Sequence, residues 1–420
     1  MSQTPDILRV RPDDYDPDSM AVDQARTFIL ERLQPVMGAE QVSVRAALGR
    51  VLANDVVSPL DVPAHDNSAM DGYALRSADL AASGATTLRI AGTVFAGQAS
   101  MPAPEPGECV RIMTGGRIPP GCDCVVMQEN VLVDGERAVV GPGHRAGQNI
   151  RRAGEDLARG QVALAAGHWL TPADLGLLAS LGIAEVAVRR RLRVAFFSTG
   201  DELVSIGGAL GPGQVYDSNR YTLYGMLSRL GCELIDMGVI PDQPDQIETA
   251  FREAAACADV VISSGGVSVG EADFTRDMLA RLGQVLFWKI AMKPGRPLAY
   301  GQIGAAQFFG LPGNPVSVMV TFYQFVRDAL LRLQGRSPAP RPTFAVRCMT
   351  TLKKAPGRTE FQRGVLALED GEWVVRSTGE QGSGVLSSMS RANCFIVLGQ
   401  ERGRVEAGEM VPVQPFEGLI

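Results

Sequence analysis

Lysine is nearly missing from this sequence. Of 40 basic residues in a chain of 420, only Lys289, Lys293, Lys353 and Lys354 are not arginine. Arginine is a wide planar fork and lysine a compact point charge, so a lysine in such a chain marks a place where the fork does not fit. Histidine is scarcer still: His65, His144 and His168 all lie before residue 191, which tells against a Ser-His or Cys-His nucleophilic pair assembled in residues 191–335. The seven cysteines (109, 122, 124, 232, 257, 348 and 394) are scattered and odd in number, a usage that suits reduced thiols. Cys122 and Cys124 lack a second pair or a nearby histidine, so no zinc site is expected there. No window approaches the roughly 20 apolar residues that span a bilayer, and the start, Met-Ser-Gln-Thr-Pro-Asp, has no basic region followed by an apolar one. The expectation is a cytoplasmic protein without a membrane partner. A net charge of -6 tells against a general nucleic-acid binder. Neither a Gly-Lys-Ser/Thr phosphate loop nor a Gly-x-Gly-x-x-Gly fingerprint follows a strand.

What remains is long enough for three or four domains. Residues 1–19 read as a loose tail rich in Asp, Pro and Arg. Apolar positions Val22, Ala25, Ile29 and Leu33 predict a helix capped by Ser19 or Asp18, and a second amphipathic helix is expected over Val42 to Leu52. Short strand-like runs between Gly/Pro turns (Arg89–Phe95, Glu108–Met113, Asp123–Met127) predict a β domain within 58–146. Residues 20–57 and 147–190, with a helix around Pro172 to Leu181, share a different character, so the β domain reads as an insertion into a discontinuous one. From Leu192 the pattern is βαβα: strands Leu192–Phe197, Glu233–Met237 and Asp259–Ser264 alternate with helices Arg220–Leu230 and Gln246–Ala256. That predicts a doubly wound parallel sheet over 191–335, closed by a helix from Val316 to Leu333. After the linker Gly335–Pro342, strands Phe344–Arg347, Trp373–Val375 and Cys394–Val397 predict a small β-barrel over 343–420. The expected class is multidomain α/β plus β.

The chemistry gathers around Asp259-Val-Val-Ile-Ser-Ser-Gly-Gly-Val-Ser-Val-Gly-Glu-Ala-Asp273, a strand without a polar face that breaks into a glycine-rich loop. Small residues at the carboxyl end of such a strand let backbone N–H groups approach an anion. Asp201, Glu202, Asp242, Glu271 and Asp273 all follow strands and are expected on one rim. Carboxylates without His or Cys partners are hard oxygen ligands that favour Mg²⁺ beside a phosphate. Lys289, Lys293 and Arg296 add positive charge, and the two lysines, four apart, would share a face of one strand.

Several of these stretches carry a resemblance. Pro63-Ala-His-Asp-Asn-Ser-Ala-Met-Asp-Gly-Tyr-Ala74, Arg111-Ile-Met-Thr-Gly115, Gly147-Gln-Asn-Ile-Arg-Arg152, Ser198-Thr-Gly-Asp-Glu202, Ser263–Asp273, Met292-Lys-Pro-Gly295 and Gly310-Leu-Pro-Gly-Asn-Pro315 together resemble the molybdopterin molybdenumtransferases, the family of the gephyrin E domain. The likeness runs in order from about residue 20 to 415. It implies an extended domain in two segments, an inserted β domain, an α/β domain like the molybdopterin adenylyltransferases and a C-terminal β-barrel. It also implies a homodimer whose cleft joins the α/β domain of one subunit to the inserted domain of the other, with molybdopterin adenylyltransferase and molybdoenzymes as protein partners. The implied activity is Mg²⁺-dependent insertion of molybdate into adenylylated molybdopterin, releasing AMP. The positions implied as functional are Asp71, Thr114, Asp156, Glu202, Asp242, Asp273, Lys289, Lys293, Arg363 and Ser383, with Glu202, Asp242 and Asp273 on the metal. Ser263, Ser264, Gly265, Gly266, Gly270, Arg296, Pro312 and Pro315 are implied around the ligand. His65 and Arg296 depart from the family, where an aromatic and a lysine are common. The rival readings are a molybdopterin adenylyltransferase and a non-catalytic molybdopterin-binding scaffold.

Overall fold

The computed structural model describes residues 19–98, 101–266, 278–279, 281–336, 338 and 340–420. Gly270, Glu271 and Asp273 lie outside these described residues. The chain forms two compact units, one of residues 41–48 and 52–188, the other of 49–51, 189–420 and the chain up to residue 40.

The larger unit is built on a six-stranded mixed sheet. Its strands are β1 (Arg193–Thr199), β2 (Glu233–Ile240), β3 (Val260–Ser264), β4 (Gly283–Lys289), β5 (Pro297–Ile303) and β6 (Ala306–Leu311), in the order β2-β1-β3-β6-β5-β4. The first four in that order run parallel, and β5 and β4 are antiparallel additions. Alternate residues of β1 go to opposite faces, so Phe196 packs with one apolar cluster and Phe197 with the other, both fully buried. Helix α1 (Ser218–Arg229) supplies Leu223, Met226 and Leu227 to the first face, and α2 (Pro244–Cys257) supplies Ile247, Phe251 and Ala254 to the second. A sheet covered on both faces needs the continuous apolar strands that the sequence shows here.

Pro315–Thr321, a π turn over Phe322–Val326 and Arg327–Leu333 make one continuous helical stretch, α3. Its π turn faces the C-terminal barrel: Tyr323 Oη donates to Pro415 O at 3.1 Å and Gln324 Nε2 to Gln414 Oε1 at 3.0 Å. The barrel is closed by Thr359–Glu369, Glu372–Ser377, Phe344–Cys348, Met410–Pro415 and Cys394–Leu398, the last pairing back onto the first. Thr359–Glu369 escaped the sequence reading because Glu360, Gln362 and Arg363 are buried beside Phe361, which erases the polar–apolar alternation that marks a strand.

The smaller unit holds a six-stranded sheet of its own, ordered Cys124–Met127, Gly72–Leu75, Glu108–Ile112, Thr86–Val94, Arg137–Val140 and Val131–Asp134. Two local expectations are corrected. No helix spans Val42 to Leu52: Ala39–Ser43 is extended, Val44–Ala47 makes a single 3₁₀ turn, and Gly49 has φ 72°. β-branched Val42, Val44 and Val51 lose rotamer freedom in a helix, and a left-handed glycine ends one. The first helix, Val22–Glu31, is entered through Ala21, whose N–H donates to Gln24 Oε1 at 3.4 Å, and not through a cap at Ser19.

Candidate active cleft

The carboxyl ends of β1 and β3, the first turn of α1 and the turn before α3 surround a cleft of about 880 Å³. Asp217 caps α1, its Oδ1 accepting from the Arg220 N–H at 3.2 Å and from Ser198 Oγ at 3.0 Å. Asn219, 7% exposed, bridges two small-residue loops: its Nδ2 donates to Ser264 Oγ at 2.9 Å and to Gly313 O at 2.6 Å. One amide thereby fixes the spacing between the end of β3 and the turn Pro312–Pro315.

Of the positions expected from sequence, Glu202, Asp242, Ser264, Gly265, Gly266, Lys293, Arg296, Pro312, Pro315 and Ser383 all line this cleft. Glu202 follows β1 and Asp242 follows β2, on neighbouring parallel strands, and the Asp242 N–H donates to Asp201 Oδ1 at 3.0 Å. Ser263, 2% exposed, lies one residue inside β3, opposite Gly310 of β6. The lysine expectation is corrected in one respect. Lys289 ends β4 opposite Pro297, whereas Lys293 belongs to a separate two-residue strand, Met292–Lys293, that pairs with barrel strand Thr359–Glu369. The bend between them removes the shared strand face. The turn that follows needs glycine: at φ 90° a Cβ on Gly295 would sit 2.4 Å from Thr321 Oγ1.

Arg363 reaches the cleft through a loop. Its side chain is among the largest that are fully buried, and it donates to Glu380 O at 3.3 Å, Gln381 O at 3.1 Å, Gly382 O at 2.9 Å and Ser388 Oγ at 2.9 Å. Burial pushes its pKa down to about 10, so it stays a cation at neutral pH. It holds by their carbonyls the residues that carry Gln381, Gly382, Ser383 and Gly384 into the cleft wall.

Sequence reasoning missed Asp217, Asn219, Arg358 and Gln381 as cleft residues. The first two had a signal, since Asp-Ser-Asn after a strand and before an apolar-periodic stretch is a helix start. Arg358 and Gln381 had none, because they come from the barrel.

In the smaller unit Asp71 and Thr114 are brought together. Asp71 Oδ1 accepts from both Thr114 N and Thr114 Oγ1 at 2.7 Å. Those two hydrogen bonds, the backbone one foremost, hold the exposed Asp71 carboxyl below the usual carboxylate range. Asp66 similarly accepts from Ala153 N at 2.9 Å and Arg152 Nη1 at 2.6 Å. Asp156 lies in a separate turn, its N–H donating to Val62 O at 3.0 Å. Buried thiols Cys109 and Cys124 are pushed up to about 12 and about 11, chiefly by desolvation, so neither is a ready nucleophile. Among the described residues no three His, Cys, Asp or Glu side chains form a metal-binding group, and no helix is long and apolar enough to cross a membrane.

Fold and cleft define a multidomain α/β protein with a polar ligand site at the carboxyl ends of parallel strands, walled on one side by residues of a β-barrel. Comparison gives the family. Residues 20–182 match the model described as MoeA N-terminal region (domain I and II), 195–332 the probable molybdopterin binding domain, and 345–416 the MoeA C-terminal region (domain IV). The chain is 49% identical over 404 residues to the molybdopterin molybdenumtransferase of Haemophilus influenzae, covering 96% of this chain and 100% of that protein. It is 36% identical over 394 residues to the molybdopterin molybdenumtransferase of a Nostoc species, covering 92% and 90%. The crystal structure of the molybdopterin biosynthesis moeA protein from Pyrococcus horikoshii OT3 superposes with a TM-score of 0.82 at 29% identity, covering 95% of this chain and 100% of that one. The chain belongs to the molybdopterin molybdenumtransferase family.

Proposed function

We propose that this chain transfers molybdate into adenylylated molybdopterin, with cleavage of the phosphoanhydride and release of AMP, completing molybdenum cofactor synthesis. The observation that carries the reading is the charge layout of the cleft: Glu202 and Asp242 line it together with Lys293, Arg296 and Arg358. Such a wall suits a substrate with two phosphates and a tetrahedral oxyanion, because fixed cations stabilise oxyanion charge without reorganising. Lys293 and Arg296 face the anions, and Lys289, which ends β4 opposite Pro297, is assigned with them on the family resemblance.

The donor set fits Mg²⁺, which takes one or two protein carboxylates and completes its shell with water and phosphate oxygens. The placement of Glu202 and Asp242 after neighbouring parallel strands, both lining one cleft, supports the fit. Glu202 and Asp242, with Asp273, would hold the metal, which when bound neutralises phosphate charge. Ser264, Gly265, Gly266, Pro312 and Pro315 shape the floor beneath the ligand. Ser383 completes the barrel side.

The finer architecture and assembly follow the family resemblance: a molybdopterin adenylyltransferase-like α/β domain, a β domain inserted in a discontinuous one, and a cytoplasmic homodimer in which Asp71, Thr114 and Asp156 serve a partner's cleft. Molybdopterin adenylyltransferase as donor of the substrate and molybdoenzymes as acceptors of the product are the partners this chemistry calls for. The purified protein, given adenylylated molybdopterin, Mg²⁺ and molybdate, should release AMP. Intact adenylylated molybdopterin after prolonged incubation would overturn the reading.

A further inference from the structure

Glu360 sits in the barrel strand Thr359–Glu369, is 6% exposed, and is absent from the set of residues that the family resemblance implies. A buried carboxylate is costly unless it is paired, and a barrel strand has no need of one. Its partners are specific. Met292–Lys293 pairs in parallel with this strand so that Lys293 stands opposite Glu360. Lys293 Nζ lies 3.6 Å from Glu360 Oε1, while Glu360 Oε2 accepts from Gln362 Nε2 at 2.8 Å. Gln362 Nε2 donates in turn to Lys353 O at 3.1 Å, which fixes the carboxylate plane. Lys354, whose ammonium donates to Arg402 O at 2.8 Å and Ala355 O at 3.1 Å, adds charge on the barrel side, with Arg358 and Glu401 beyond it. The two lysines differ in placement: Lys354 is 9% exposed, whereas the Lys293 side chain is 51% exposed and lines the cleft.

We infer that Glu360 is a positioning residue for Lys293, holding its ammonium at one point of the cleft wall. A four-carbon stem that is half in solvent sweeps a wide arc, and an electrostatic group helps a transition state only when it is already in place. The barrel thereby sets a charge in the α/β cleft through one ion pair across a strand pairing.

The inference rests on the proposed function for its consequence and on the pair itself for its geometry, and the two are tested separately. With four lysines in the chain, reductive ¹³C-methylation gives a sparse methyl spectrum in which the Lys293 signal is identified by its loss in Lys293→Met. In Glu360→Gln that signal should move toward the position of Lys353, with Lys353 itself unchanged; a Lys293 signal that does not move overturns the pair. In turnover, Glu360→Gln should lower kcat/KM for molybdate about tenfold in the wild-type background and by less than about twofold in the Lys293→Met background. Equal losses in both backgrounds would make Glu360 a structural residue and overturn the inference. Glu360→Asp keeps the buried charge, should fall between, and carries both comparisons if Glu360→Gln does not fold. A shifted Lys293 signal in a protein whose wild type releases no AMP would leave the positioning intact and remove the proposed function.

Discussion

Asp242 follows a parallel strand and lines the cleft, so its charge is carried at the cleft wall and not in the core. Asp242→Asn should leave the fold intact, raise the Mg²⁺ concentration needed for half-maximal AMP release and lower the limiting rate by about tenfold or more; a native rate at limiting Mg²⁺ would detach it from the metal. Lys293 carries a second expectation. Lys293→Arg keeps the charge but puts a wide fork where a tetrahedral anion leaves little room, so turnover should fall about tenfold, roughly 1.4 kcal/mol of transition-state stabilisation. Lys353→Arg, in the barrel, should match wild type, and if Lys293→Arg matches it too the scarcity of lysine carries no functional meaning. At this scale the sequence was readable where a residue's position follows from its place after a strand, as for Glu202 and Asp242 in the cleft wall. It was opaque for Arg358 and Gln381, which enter the cleft from a barrel segment distant in sequence, and no local pattern encodes that approach.

The turn after Lys293 shows how one element holds another. Gly295 lies against α3 where Thr321 Oγ1 leaves no space for a side chain, and its φ of 90° disfavours any Cβ. Gly295→Ala should therefore destabilise the larger unit by about 1–3 kcal/mol, the cost of strain at a special backbone position, seen as a lower denaturant midpoint; an unchanged midpoint would mean the turn yields freely. Elements were legible in proportion to how purely apolar burial specifies them. The first three parallel strands and the helices of the α/β sheet were found within three residues, apart from the π turn in α3, because both faces of that sheet are covered by apolar clusters, whereas β5 and β6 were not assigned and the sheet is mixed where a parallel one was expected. The segment at 42–52 was not. Its apolar residues fit a helical period, yet the β-branched valines and Gly49 favoured an extended chain with one 3₁₀ turn. Thr359–Glu369 was hidden for the opposite reason, since buried Glu360, Gln362 and Arg363 are kept for ion pairing and loop support.

For the whole molecule the order of motifs from residue 20 to 415 identified the family, and three family matches cover the same span. What the sequence supplies only by resemblance is the assembly. In the proposed homodimer, Asp71 and Thr114, which meet through two 2.7 Å hydrogen bonds, act on a partner's cleft. Mixing Asp71→Ala chains with Asp242→Ala chains should then restore activity in heterodimers, because one of the two clefts escapes both lesions; verified heterodimers without recovery would place all these residues in one subunit's site. The central claim is that one cleft couples phosphoanhydride cleavage to molybdenum insertion. Its most direct measurement follows AMP and molybdenum-loaded molybdopterin in one time course with the wild-type protein, with molybdate present and omitted. The account predicts that both products rise together in equal amounts and that neither forms without molybdate. AMP released at full rate without molybdate, or molybdenum loaded without AMP, would contradict it.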